Sequence, residues 1–377
     1  MMKLTKKKMI AGAAAISCFA MLATGCATNS GAANRGADLP PAQTDQGGRE
    51  TIKKPEKVIT VIDKPVQVSK IEVSGIVTID NARGMNFFGG SKLIVSHPNL
   101  SVEPIQGEGE KVQPNNIYVY DMEKKTEEAL VPGSENQGFS ELSPDGSYLF
   151  YKMTEEGTGF GRILDMKTKK SISLGDEPVD LNSGQWLDND HVLFSTIFGK
   201  IVVADTNGTM KTIAEHGGYV HSAVVAGGNL YYVKGESSDL YSMALQEGAK
   251  PEKIGTGVDW VVPSPDGKQL ALVKHKSETV RTLSVVDLKG NELLKLASAT
   301  QIFGTRWSPD GTKLAYSLTS EENGGNGIFV ADALTGEATS VLVEQASDTL
   351  NWDASGTKLL TSAFKENRFV TSVITLK

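Results

Sequence analysis

Apolar residues occur in short runs along most of the chain, and a turn sequence precedes many of these runs. The tetrapeptide Ser-Pro-Asp-Gly occurs three times, at 143–146, 264–267 and 308–311. Its proline suits the second position of a type I turn, and its glycine accepts a positive φ. The pattern therefore predicts strands joined by tight turns. The aspartates of these turns, Asp145, Asp266 and Asp310, are interpreted as structural rather than catalytic.

The turns mark an internal repeat. Looser copies of the turn give seven units, whose first core leucines are Leu93, Leu149, Leu193, Leu230, Leu270, Leu314 and Leu359. Successive leucines are 56, 44, 37, 40, 44 and 45 residues apart. A period of about 40–45 residues that contains only strand patterns is typical of β-propeller blades. The long first step is interpreted as an insertion at 99–115 within one blade.

Each unit also contains a later strand pattern, and five of these run directly into an aspartate. The five aspartates are Asp121, Asp165, Asp205, Asp287 and Asp332. Such an aspartate can accept hydrogen bonds from the following backbone amides in an Asx turn. A further strand follows each turn, so that a complete unit has four strands.

The last unit lacks its outermost strand after 369–375, whereas an unused strand pattern lies at 71–78, ahead of the first unit. Pairing these two segments would remove an unpaired sheet edge at the seam. The predicted fold class is all-β: a seven-bladed β-propeller of four-stranded antiparallel blades, with the ring closed by an N-terminal strand.

The N-terminal residues have the pattern of an export signal. Lysines precede an apolar run at 9–24, and small residues precede Cys26. The run is shorter than the roughly 20 residues of a membrane span. The segment 22–26, Leu-Ala-Thr-Gly-Cys, resembles the bacterial lipobox, although the usual leucine stands one residue further out, at Leu22. The resemblance implies lipidation of Cys26 by a diacylglycerol and cleavage before it. The alternatives are an ordinary secreted protein cut near Gly25 and an uncleaved anchor.

These patterns divide the chain into a lipoprotein signal peptide at 1–25, a flexible tether at 26–56 and a propeller at 57–377. The tether contains several Gly, Asn and Pro residues and few large apolar residues. Cys18 falls within the signal, so a mature chain that starts at Cys26 has no other thiol for a disulfide or for catalysis. The predicted location is the extracytoplasmic side of the cell membrane, where acyl chains such as palmitate hold the protein.

The net charge is −7, and it becomes −11 without the four lysines of residues 1–25. A negative chain is unsuited to phosphate backbones, so no nucleic-acid partner is predicted.

The propeller region resembles the repeat of the TolB family, the periplasmic propeller of the Tol–Pal system. The resemblance is carried by the runs 307–316 and 328–332, by Gly336, and by the other copies of the turn. It covers roughly residues 70–377 and implies a propeller in an exported compartment. TolB itself has six blades and a preceding α/β domain and is soluble, whereas seven blades, no such domain and a lipid anchor are predicted here.

Motifs for enzyme chemistry are missing from the sequence. It has no Gly-x-Ser-x-Gly, no phosphate-binding loop and no His-Glu-x-x-His. A metal site would require several converging side chains, and nothing in the spacing of the histidines demands this. The histidines are His97, His191, His216, His221 and His275. We therefore predict no catalytic residue, no metal and no cofactor, and we expect the chain not to be an enzyme.

Three further patterns receive structural interpretations. Asp205-x-Asn207-Gly208 is interpreted as a hairpin turn, because the remaining ligands of a calcium loop are missing. Four tryptophans near the recurring turns are assigned to packing between blades; they are Trp186, Trp260, Trp307 and Trp352. Acidic loop residues are interpreted as solvated charges; they are Glu108, Glu110, Glu155, Glu156, Glu321 and Glu322.

The sequence thus predicts a membrane-anchored extracytoplasmic lipoprotein, whose propeller is a non-catalytic binding module of the cell envelope. Propellers present loops on two faces and around a channel, which suits a protein, peptide or glycan partner. Candidate contact loops are 99–115 and 321–327, but no ligand-binding residue is assigned. The alternative is a metal-dependent lyase or a lactonase-type enzyme with its site in the channel.

Overall fold

The structure, a computed structural model, describes residues 49–54, 57–62 and 71–377, except for 108, 156, 157, 182, 247, 321–324, 344, 345 and 348. The chain divides into two units, residues 1–66 and 67–377. In the first unit, β1 (Arg49–Lys54) and β2 (Lys57–Ile62) pair as an antiparallel hairpin. The predicted signal peptide, Cys26 and most of the predicted tether lie outside the described residues, so these assignments stay predictions.

The described part of the second unit consists of strands and their connections, beginning with β3 (Val73–Asp80). Blade 1 contains β4 (Arg83–Phe87), β5 (Lys92–Pro98), the inserted hairpin β6 (Ile105–Gln106) and β7 (Lys111–Val112), then β8 (Asn115–Asp121) and β9 (Thr126–Ala129). Blade 2 contains β10 (Asn136–Leu142), β11 (Tyr148–Glu155), β12 (Thr158–Asp165) and β13 (Ser171–Ser173). Blade 3 contains β14 (Gln185–Trp186), β15 (His191–Ser195), β16 (Lys200–Asp205) and β17 (Met210–Glu215).

The remaining blades repeat this order. Blade 4 contains β18 (Val220–Ala226), β19 (Asn229–Lys234), β20 (Asp239–Ala244) and β21 (Glu252–Gly255). Blade 5 contains β22 (Val258–Pro263), β23 (Gln269–Ser277), β24 (Val280–Asp287) and β25 (Glu292–Ala299). Blade 6 contains β26 (Gln301–Trp307), β27 (Lys313–Thr319), β28 (Gly327–Asp332) and β29 (Ala338–Val343). Blade 7 contains β30 (Thr349–Trp352), β31 (Lys358–Lys365) and β32 (Arg368–Leu376).

The predicted fold class is confirmed. Seven four-stranded antiparallel sheets form the blades, and the sheet of blade 7 has the order β3-β32-β31-β30. The N-terminal strand β3 therefore supplies the outer strand of the last blade, with partners from Val73↔Leu376 to Asp80↔Val370. The insertion at 99–115 lies within blade 1, between β5 and β8, as predicted. Among the described residues, no helix is long and apolar enough to cross a membrane.

The core is divided among the interfaces between blades. All seven leucines of the repeat series are fully buried. The buried apolar side chains form seven clusters, each drawn from two neighbouring blades. One of them joins Leu360 and Val373 of blade 7 to Leu93 and Val95 of blade 1. Burial of these side chains, at about 1.5–3 kcal/mol each, therefore depends on every blade having both neighbours.

The tryptophans stabilise the same interfaces, as predicted. The indole N–H groups of Trp186, Trp307 and Trp352 donate to backbone carbonyls of the preceding blade, at 2.8, 3.2 and 3.1 Å. The displaced Trp260 donates to the carbonyl of Ile302 in the following blade, at 3.1 Å.

The seam between blades 7 and 1 carries a buried hydrogen-bond network. The backbone N–H of Gly84 lies 2.8 Å from Ser362 Oγ and 2.7 Å from Thr371 Oγ1. The two hydroxyls lie 2.8 Å apart, and Thr371 Oγ1 donates to the carbonyl of Ala82. A side chain at Gly84 would collide with this network, because its Cβ would lie 2.6 Å from Thr371 Cγ2 and 2.9 Å from Leu360 Cδ1.

We predict that Gly84→Ala lowers the free energy of unfolding by about 1–3 kcal/mol, as expected for overpacking at a rigid contact. Urea denaturation measures the effect. The matched control is Gly75→Ala on β3, where a Cβ would meet nothing within 4 Å; its effect should stay within about 0.5 kcal/mol. Equal stability of the two variants would contradict the tight seam.

Candidate functional site

The propeller has two chemically different faces. Because the strands of a blade are antiparallel and follow one another outward, the first and third connections of each blade lie on one side, which we call the turn face. The second connections and the links to the next blade lie on the other side, which we call the loop face. Regular repeats occupy the turn face, and the irregular segments occupy the loop face.

The recurring aspartates of the turn face are structural, as predicted. Asp266 Oδ1 accepts hydrogen bonds from Ser264 Oγ at 2.7 Å and from the backbone N–H of Lys268 at 3.1 Å. These bonds, led by the one from Ser264, lower the pKa of the Asp266 carboxyl below its usual value. Asp205 Oδ1 accepts from the backbone N–H groups of Asn207 and Thr209 at 2.9 and 2.8 Å, which confirms a hairpin turn at that place.

The loop face carries a depression of about 270 Å³ where blades 2, 3 and 4 meet. Its lining comes from the start of β12 and from the connections β13–β14, β15–β16 and β17–β18, and comprises Thr158, Gly159, Val179, Asp180, Leu181, Ile197 and Tyr219. Elements far apart in sequence thus converge at one place. We name this feature the loop-face depression.

Polar chemistry in the depression centres on Asp180 and Tyr219. The Asp180 side chain is buried, and its Oδ2 accepts a hydrogen bond at 2.5 Å from the hydroxyl of Tyr219, a half-exposed residue. Burial, assisted by this bond, raises the pKa of Tyr219 above its usual value. Tyr219 therefore stays a neutral donor with an exposed ring. Leu181 and Ile197 are exposed apolar side chains of the lining, and the exposed Phe198 follows Ile197 in sequence.

A fully buried lysine lies beneath the depression. Lys152 Nζ donates to the backbone carbonyls of Leu181 at 2.7 Å and Ser183 at 2.5 Å. It also lies 3.6 Å from the centre of the Phe139 ring, a cation–π arrangement. Burial lowers the pKa of Lys152 to about 7, and the negative charge of Asp180 opposes this shift. Lys152 was not predicted from the sequence; the available signal was a lysine directly after the apolar run Tyr-Leu-Phe-Tyr.

An ion pair crosses the central channel. Glu141 on β10 and Arg306 on β26 belong to the innermost strands of blades 2 and 6, on opposite sides of the ring. Arg306 Nη2 lies 2.9 Å from Glu141 Oε2, and the charge of Glu141 raises the pKa of Arg306. This pair lies in the central region that the alternative enzyme hypothesis assigned to a catalytic site.

A second polar group lies on the inner side of blades 4 and 5. His275 Nδ1 is 2.8 Å from Asp259 Oδ1, and Arg281 Nε donates to Asp259 Oδ2 at 3.2 Å. His221 lies nearby, with its ring 5.6 Å from that of Tyr219. Burial lowers the pKa of His221, although the negative charges of Asp180 and Asp259 oppose the shift.

The other histidines have partners of their own. His97 stacks on Tyr118 in blade 1, and His191 pairs with Asp188 in a turn of blade 3. His216 stacks on Tyr232. Within the ranges that the structure describes, no three His, Cys, Asp or Glu side chains are close enough to hold a metal ion.

The acidic loop residues are only partly described. Glu108, Glu156, Glu321 and Glu322 lie outside the described residues, and Glu110 is exposed. The side chain of Glu155 also lies outside the description. Their interpretation as solvated charges stays a prediction for all except Glu110.

Comparisons with known proteins support the fold. The chain is similar to an oligogalacturonate lyase in complex with manganese (14% identity, TM-score 0.59, covering 87% of this chain and 96% of that one). It is also similar to an oligogalacturonate lyase from Vibrio parahaemolyticus (14%, 0.58, 87% and 96%). A third similar structure is the β-propeller domain of Cps50 (Swd1) from Myceliophteria thermophila (13%, 0.57, 82% and 100%). No model of a known protein family and no curated protein matches the sequence.

The expectation that the chain is not an enzyme is wrong as an inference from its sequence. Two of the similar structures are lyases, so propellers of this shape include enzymes. At 14% identity the likeness establishes the fold and assigns no activity. The absence of a familiar catalytic motif therefore does not exclude catalysis.

Proposed function

We propose that this chain is an exported, lipid-anchored TolB-like propeller that binds a glycan chain on its loop face. The observation that carries the proposal is the loop-face depression, where an exposed tyrosine ring, apolar side chains and a buried carboxylate converge. Binding sites typically combine apolar walls with a few well-placed polar groups. The opposite face offers aspartates that are already bonded within their own turns.

The depression suits a sugar ring better than a flat apolar ligand. A pyranose has an apolar C–H face, which can pack on the ring of Tyr219, and hydroxyl groups around its edge. Leu181 and Ile197 extend the apolar wall. The Asp180 carboxylate holds the Tyr219 hydroxyl and so fixes the ring before a ligand arrives, which reduces the entropy lost on binding.

The proposed location rests on the N-terminal sequence. A lipobox-like segment ends at Cys26, and the chain beyond it has a net charge of −11, by subtraction of four lysines from the total of −7. Such a charge does not attract the chain to anionic lipid, so acyl chains would have to hold it at the membrane.

A second candidate function is favoured by the similarity to the oligogalacturonate lyases: cleavage of an acidic glycan by elimination. Both candidates act on a glycan, and they differ in whether a bond is broken. The described histidines do not converge, so no catalytic step is assigned to them.

We predict that mass spectrometry of the mature protein finds an N-terminal Cys26 carrying diacylglycerol. Cys26→Ala should shift the protein from the membrane fraction into the soluble exported fraction or leave it uncleaved, because the acyl acceptor is lost. An unmodified N-terminus near residue 26 in the wild-type protein would contradict lipidation.

We predict that Tyr219→Ala weakens binding of a glycan probe about tenfold, equivalent to about 1.4 kcal/mol, because the stacking ring is removed. Isothermal titration calorimetry with oligogalacturonate and with peptidoglycan fragments is the measurement. Leu334→Ala, an exposed apolar residue on a turn-face loop, is the matched control and should leave binding unchanged. Binding that survives Tyr219→Ala, or no binding of either probe, would count against the proposal.

For the second candidate, we predict that the purified protein converts oligogalacturonate to an unsaturated product, detected by its ultraviolet absorbance. The assay is run with and without added manganese, since one of the similar lyases was solved with that metal. Binding of the probe without product in either condition would reject elimination on this substrate and leave the binding proposal in place.

A further inference from the structure

Lys152 breaks the pattern of the internal repeat. In blade 2 the turn is closed by a hydrogen bond from the Ser143 N–H to the Tyr148 carbonyl, and Lys152 lies four residues after Tyr148. The same position in the other six blades holds Ser96, Ser195, Val233, Val273, Ser317 and Ser362, all buried. Small residues thus fill this position everywhere else. Since the seven blades share one architecture, the exception calls for a local reason.

The serines at this position contact the chain as it enters the following blade. Ser317 Oγ accepts from the backbone N–H of Ser347 at 2.9 Å, and Ser362 Oγ donates to the carbonyl of Gly84 at 3.1 Å. Lys152 also contacts the chain as it enters the following blade. Its longer side chain donates to the carbonyls of Leu181 and Ser183, just ahead of blade 3. Leu181 and its neighbour Asp180 line the depression.

We propose that Lys152 is a positioning residue for the loop-face depression, and that protonation of its buried amine loosens the backbone at Asp180, Leu181 and Ser183. The inference rests on the proposed function only in treating the depression as a binding site; the coupling between Lys152 and the depression rests on the two hydrogen bonds. The depression then opens more readily near pH 7 than in alkaline solution.

The direction of the pH effect depends on which arrangement, packed or open, binds the proton of Lys152 more tightly. In the packed arrangement the pKa of Lys152 is about 7, because burial disfavours the charged amine. When the local structure opens and the amine meets water, its pKa returns to about 10.5. The open arrangement therefore holds the proton more tightly between pH 7 and about 10.5, so opening becomes less favourable as the pH rises.

The charged groups around Lys152 set the size of this effect. Asp180 and Glu141 both favour the charged amine. Asp180 shares a hydrogen bond with Tyr219, and Glu141 is paired with Arg306 across the channel. The hydrogen bonds of Lys152 Nζ go to two backbone carbonyls, so the two carboxylates act on the amine through their charge.

Amide hydrogen exchange tests the inference without a ligand. The amides to follow are Asp180, Ser183 and Ser195, which donate to Ser195 O, Asp180 O and Ser183 Oγ. After correction for intrinsic exchange, their opening equilibrium should fall by up to about tenfold per pH unit from pH 7 to pH 9. In Lys152→Met it should not change with pH. The Ser347 amide, bonded to Ser317 Oγ, is the control and should not respond in either protein.

Equal protection at pH 7 and pH 9 in the wild-type protein, or a pH response retained in Lys152→Met, would overturn the inference. If that variant fails to fold, nitrogen NMR of the wild-type lysine side chains decides: one must titrate near pH 7, and titration of all of them above about 10 would overturn the inference. A pH response without any binding of glycan probes would instead contradict only the proposed function.

Discussion

The blades cannot bury their apolar faces alone, and the rest of the structure depends on this constraint. Each of the seven apolar clusters is shared by two neighbouring blades. A row of blades would leave an apolar face exposed at each end, whereas a ring leaves none. The ring is closed by the pairing of β3 with β32, which completes the last blade. The hydroxyl network at Gly84 then holds that blade against the first.

A ring built from equivalent modules provides its own internal comparison. Residues that serve packing recur at equivalent positions, as the buried leucines and three of the tryptophans do. A residue that differs from its six equivalents is instead explained by its own surroundings. Lys152 is such a residue, and the carbonyls that it holds belong to the wall of the loop-face depression. Departure from the repeat thus points to the same place as the geometry of the surface.

The fold could be predicted from the sequence because its determinants are local and repeated. Turn tetrapeptides, leucines at a regular spacing and a spare strand pattern at 71–78 defined the blade count and the closure. The candidate site could not be predicted, because Gly159, Asp180, Ile197 and Tyr219 belong to four different connections or strands. Only the curvature of the ring brings them together. The Glu141–Arg306 pair shows the same effect across 165 sequence positions.

This geometry also explains why the absence of a short motif does not exclude catalysis by a propeller. A motif records chemical groups that are close in sequence, as on one helix or in one loop. A propeller places one or two side chains from each of several blades around a face or channel, so the spacing of a site in sequence is set by the blade length. Three residues of blade 5, His275, Asp259 and Arg281, share the loop face with Tyr219. No short sequence motif contains all four. Function in such a ring is therefore better sought in the side chains that interrupt its repeat than in short sequence patterns.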